Sequence, residues 1–136
     1  MIRNRVSAVL VAMLLGCSAP TEVRPIHTDV DRARAAWLAN RPSAYSFELS
    51  MTGSWYPRSG YYRVEVSNGQ ITSTTASAWT TPTIDEIWDQ ILAARAKGEL
   101  NSASFDERGV PVESDMGPWP VDGGVSYSVR NFAERR

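Results

Sequence analysis

The sequence predicts an α+β domain: an antiparallel sheet of about six strands with two helices packed on one face, in the order αβββαβββ. Three observations predict it. Two stretches repeat their apolar residues at helical spacing, about six others alternate them at period two, and tight turns join most of the strands. Short hairpins leave no room for the crossovers that a parallel sheet needs.

The first helix is predicted over Asp29–Asn40. Thr28 is placed to cap it, and Asp29 and Asp31 put negative charge in the first turn, where the helix dipole favours it. Val30, Ala33 and Trp37 then form one apolar stripe. Pro42 stops the helix, because the residue before a proline is pushed out of the α region. The second helix carries a stronger signature. Thr83 and Glu86 form a T-x-x-E capping box ahead of Ile84, Ile87, Trp88, Ile91 and Leu92. Acids stand at its start, Arg95 and Lys97 at its end, and Gly98 is placed to cap it.

The strands read by alternation. Tyr45, Phe47 and Leu49 interleave with Ser46, Glu48 and Ser50, and Tyr62, Val64 and Val66 with Arg63, Glu65 and Ser67. Asn68-Gly69 then predicts a type I′ hairpin, whose two central residues need positive φ. That turn pairs Ser67 with Gln70 and Val66 with Ile71. After the second helix come Ser102–Phe105, a turn at Asp106–Gly109, and Val110–Glu113. Pro111 predicts an edge or irregular position for this strand, since proline cannot donate to a ladder. Val125, Tyr127 and Val129 alternate in a last strand. The two αβββ halves match too poorly, residue by residue, to read as a repeat.

In that order, Trp37, Tyr45-Ser46-Phe47, Val64-x-Val66-x-Asn68-Gly69-x-Ile71 and Thr83-Ile84-Asp85-Glu86-Ile87-Trp88 resemble a bacterial domain family of unknown function. The resemblance continues through Phe105-Asp106-x-x-Gly109-x-Pro111 and Tyr127-x-Val129-x-x-Phe132. It implies a secreted or lipid-anchored domain and no particular activity. Many members carry closely spaced cysteines after the first strand. Gly53-Ser54-Trp55-Tyr56 stand there instead, so no thiol chemistry carries over.

Ahead of the domain, residues 1–16 read as a signal peptide: Arg3 and Arg5 precede an apolar run over Val6–Leu15. The run ends in Leu14-Leu15-Gly16-Cys17, which resembles the lipobox of bacterial lipoproteins. The resemblance implies cleavage before Cys17 and a lipid on its thiol, anchoring the chain in the bacterial envelope. In a Gram-negative cell, Ser18 implies the outer membrane, facing the periplasm. Residues 17–28, with Pro20 and Pro25, form the expected tether, and residues 29–136 the single domain. An ordinary secretory signal is the alternative. A ten-residue apolar run is too short to span a bilayer as a helix.

Composition narrows the chemistry. Removing the leader takes the formal net charge of the 136-residue chain from −1 to −3, which excludes a basic surface for nucleic acid. The single cysteine excludes an internal disulfide. Nucleophilic catalysis needs a base beside Ser, Thr or Cys, yet the one histidine, His27, lies in the tether and the one lysine, Lys97, at a helix end. No catalytic set and no cofactor are predicted. Glu113 and Asp115 share a strand face at i and i+2, with Asp122 in the next loop. Such a trio can ligate a cation through oxygen or act as acid and base, but it lacks the spacing of a calcium loop. A solvated polar face explains it equally.

Aromatic residues outside the apolar stripes are the remaining candidates. Trp55 and Tyr56 lie between two strands, Trp119 between Pro118 and Pro120, and Trp79 ahead of the second helix. Each either presents contact area to a ligand or folds back as a lid. The expected function is a lipid-anchored envelope module that binds a protein or assists an assembly. The alternative is a small-molecule or glycan binder using Trp55, Tyr56 and Trp119. A hydrolase built on the three carboxylates comes third.

Overall fold

The computed structural model describes residues 26–53, 60–76, 81–118 and 123–136. Its elements are α1 (Ile26–Asn40), β1 (Ala44–Gly53), β2 (Tyr62–Ser67), β3 (Gln70–Thr74), α2 (Ile84–Ala96), β4 (Leu100–Phe105), β5 (Pro111–Met116) and β6 (Val125–Glu134). The strands form one antiparallel sheet in the order β3-β2-β1-β6-β5-β4. The predicted α+β class and element order hold. Each half is a meander of its own, and β1 pairing with β6 joins the two at the centre.

Both helices cover the same face. Val30, Ala33 and Trp37 of α1 and Ile84, Ile87, Trp88, Ile91 and Ala94 of α2 are buried in one cluster. Beneath them lie the inward residues of the strands: Tyr45, Phe47, Leu49, Met51, Val64, Val66, Met116, Tyr127 and Val129. Aromatic contacts bind the layers. Trp37 meets Tyr45 edge-on at 5.8 Å, and Trp88 stacks on Phe105 at 4.8 Å.

The helices run antiparallel, fixed at both ends by polar contacts. Arg95 near the end of α2 pairs with Asp31 near the start of α1 at 2.6 Å. At the other end, Asp85 accepts from the Trp37 indole at 2.9 Å and from Arg41 at 3.1 Å. The capping box forms as its sequence requires: Thr83 Oγ1 accepts from Glu86 N, and Glu86 Oε2 from Thr83 N. At the far end Gly98 takes a φ of +71° and Glu99 N donates back to Ala94 O, closing the helix with a left-handed turn.

The hairpin register is as predicted. Val66 pairs with Ile71 and Ser67 with Gln70, and Asn68 and Gly69 both take positive φ.

Two expectations are corrected. The first helix starts at Ile26, so Thr28 lies inside it rather than capping it, and His27 belongs to the helix rather than to a tether. Of the two positions that Pro111 predicts, the edge fails and the irregular one holds. β5 lies between β4 and β6, and Pro111 is tolerated there because it is the first strand residue, opposite Phe105 at a register shift. The edges are β3 and β4.

The turn at Asp106–Gly109 holds the second half against the first. Asp106 accepts from the backbone of Arg108 and Val110 and pairs with the Arg108 guanidinium at 2.8 Å. Gly109, at φ +79°, gives its carbonyl to the Trp88 indole at 3.0 Å. Its own Cα lies so close to α1 that a Cβ would sit 2.0 Å from the Ala33 carbonyl oxygen. Only glycine fits there.

Candidate functional site

With both helices on one face, the outward residues of the sheet meet solvent, and they are almost entirely polar. Cross-strand register arranges them in two rows that the linear sequence does not display. One runs Thr52–Ser126–Asp115–Ser102 across β1, β6, β5 and β4; the next runs Ser50–Ser128–Glu113–Ser104. Glu113 and Asp115 thus share a strand face, as their spacing predicts. Alternate residues of one strand stand about 6.7 Å apart, so the carboxylates are neighbours, not an acid and base facing each other across a cleft. Asp122, the third predicted member, lies outside the described residues.

The hydroxyl-bearing side chains are short, so the surface dips between longer neighbours. Ser50, Thr52, Ser102, Glu113, Asp115, Ser126 and Ser128 line a depression of about 270 Å³. Within it Ser126 Oγ donates to Asp115 Oδ1 at 3.0 Å. No cation among the described residues pairs with Glu113 or Asp115.

One rim of the depression is built from charge and one exposed aromatic ring. Arg130 lies over the ring of Tyr61 at 3.6 Å, while its Nε donates to Glu48 at 2.6 Å. The Tyr61 hydroxyl lies 3.2 Å from Ser128 Oγ, so the ring is held from two sides although it is 41% exposed. Glu48 receives Asn131 Nδ2 as well, and these two donors, Arg130 first, hold its carboxyl below the usual carboxylate range. Further along, Glu65 binds Arg63 and Arg135. The acids on this side of the sheet therefore divide into two kinds: Glu48 and Glu65 are neutralised in place, Glu113 and Asp115 are not.

A wider recess of about 490 Å³ lies between α1 and the β4 edge, lined by Asp29, Arg32, Ala33, Phe105, Asp106 and Glu107 among others. Asp106 is already consumed by its own turn. No group of three His, Cys, Asp or Glu side chains able to hold a metal occurs among the described residues. No described helix is long and apolar enough to cross a membrane.

Cys17, Trp55, Tyr56, Trp79 and Trp119 lie outside the described residues. The strands that carry the last loops do not. Gly53, the last residue of β1, pairs with Val125, the first of β6. The segment bearing Trp55 and Tyr56 and the segment bearing Trp119 accordingly leave the sheet from neighbouring strands at one end. The rows of Thr52 and Ser50 lie at that same end.

Among curated proteins and among solved structures, nothing matches this chain. A match does appear among protein families, over residues 29–134. The span takes in the whole sheet, α2 and nearly all of α1, and on it the chain belongs to a family of unknown function, DUF6174.

Proposed function

We propose that this protein is a non-enzymatic binding module of the bacterial envelope, tethered by a lipid on Cys17. It serves a protein partner or an envelope assembly. The observation that carries the reading is the pairing of Gly53 with Val125. It puts the strand ends next to two aromatic-bearing segments, themselves outside the described residues, side by side at one end of a sheet whose outer face no described helix covers. Aromatic side chains offer large contact area at small entropic cost, and the paired strand ends fix where these segments begin. The lipobox-like Leu14-Leu15-Gly16-Cys17 supports the anchor and the envelope location.

Two measurements test this. Mass spectrometry of the mature protein should find Cys17 at the N-terminus carrying a diacylglycerol, and Cys17→Ser should leave uncleaved precursor. An unmodified Cys17 in the mature chain would end the anchored reading. For recognition, replacing both Trp55 and Tyr56 with Ala should leave the melting temperature nearly unchanged while abolishing partner capture from solubilised envelopes. A melting temperature lowered by many degrees would show that the pair are lids over the core.

A further inference from the structure

We infer that the depression on the open sheet face is a docking surface for a protein partner that presents Lys or Arg side chains. The inference rests on the binding-module reading and adds to it the surface and the kind of partner.

Charge complementarity selects the occupant. Every other acid described on this face already has its cation: Glu48 has Arg130, and Glu65 has Arg63 and Arg135. Glu113 and Asp115 stand in adjacent rows with hydroxyls on either side and no cation among the described residues. Serine and threonine hydroxyls can accept as well as donate, so the lining offers acceptors to an ammonium or guanidinium group. An anionic ligand would meet two uncompensated negative charges here.

The surroundings are those of an interface. Ser126 orients Asp115 at 3.0 Å, so one carboxylate is already held before a partner arrives. Tyr61 and Arg130 are pinned to each other at the rim, and Tyr and Arg are the side chains that most often carry binding energy between proteins. Apart from Ser102 on the edge strand β4, the lining of the depression comes from β1, β6 and β5, the inner strands, whose backbone is fixed by ladders on both sides. Glu113 and Asp115, alternate residues of one strand about 6.7 Å apart along it, also match the spacing of alternate residues on an extended chain. A partner segment with basic residues at i and i+2 can engage both.

Amide shift mapping by NMR at low ionic strength tests the inference. The probe is a short synthetic peptide in which two lysines flank one serine, with its two-glutamate counterpart as control. The lysine peptide should move the resonances of Asp115, Ser126 and Ser128, and the glutamate peptide should not. Glu113→Gln combined with Asp115→Asn, both near-isosteric, the first at an exposed and the second at a half-buried strand position, should weaken binding about tenfold, and added salt should do the same. Unchanged resonances, or equal binding by the double variant, would overturn the inference. So would a neutral oligosaccharide that moves these resonances where the lysine peptide does not. Envelope capture separates this failure from that of the binding module itself: a partner lost with Trp55 and Tyr56 but kept by the double variant leaves the module standing and removes this surface.

Discussion

The Trp37 indole donates to Asp85 Oδ1 at 2.9 Å, joining the end of α1 to the start of α2 across 48 positions of sequence. Arg41 reaches the same oxygen at 3.1 Å, and Arg34 lies 3.9 Å away while also facing the Trp88 ring. Asp85 therefore serves twice, as a first-turn acid for the α2 dipole and as the clasp between the helices.

Asp85→Ala should destabilise the domain by about 1–3 kcal/mol, because it leaves the buried Trp37 N–H without an acceptor. Asp85→Asn keeps an oxygen at that place and should cost less. Urea unfolding midpoints of the two variants, compared with the parent, check the order.

Two glycines with nearly equal φ separate strain from crowding. Gly69, at +76°, has nothing within 4 Å of an added Cβ; Gly109, at +79°, would place one 2.6 Å from Trp37 N. Gly69→Ala should cost about 1–2 kcal/mol for the left-handed backbone alone. Gly109→Ala should cost more than about 3 kcal/mol, since α1 must shift as well. Equal losses in thermal or urea unfolding would show that the turn does not bear on α1.

Ser114 is 2% exposed on the helix-covered side, and its hydroxyl has no hydrogen-bond partner among the described residues. Ser114→Ala removes an unsatisfied buried group at the cost of one oxygen atom's volume. It should raise stability by about 1 kcal/mol. A loss of stability would reveal a partner for that hydroxyl.

Burial pushes the Tyr45 hydroxyl up to about 12 from an ordinary 10.0, outweighing the hydrogen bond it accepts from Ile84 N. The unfolded chain loses this proton first as pH rises. The contribution is therefore intact below pH 10 and lost between about 10 and 12, roughly 2–3 kcal/mol in all. Unfolding measured at successive alkaline pH values should fall over that window. Tyr45→Phe should flatten the fall, at a cost of about 1 kcal/mol near neutrality.

Much of the fold was legible because local chemistry dictated it. Thr83 and Glu86 start a helix wherever they stand before an apolar stripe, and Asn68-Gly69 sets its hairpin register without help from distant residues. The misreadings occur where distance decides. Pro111 suggests an edge or an irregular strand by its missing N–H, and only the irregularity holds, because strand order depends on β1 meeting β6, a pairing that no local pattern encodes. The candidate site is of the same kind. Glu113 and Asp115 were visible as a pair, whereas Ser50, Thr52, Ser102, Ser126 and Ser128 are unremarked polar alternates until four strands align them. Hydrophobic periodicity is blind to the face that it leaves outside.

The central claim is that recognition occurs on the open sheet face and not on the helical side. Site-specific photo-crosslinking in living cells tests it most directly. A photoreactive residue at Thr52, exposed in the row of Asp115, should give a discrete adduct with an envelope protein. The same residue at Leu38, 53% exposed on α1, should give none. Adducts from Leu38 with none from Thr52 would contradict the claim.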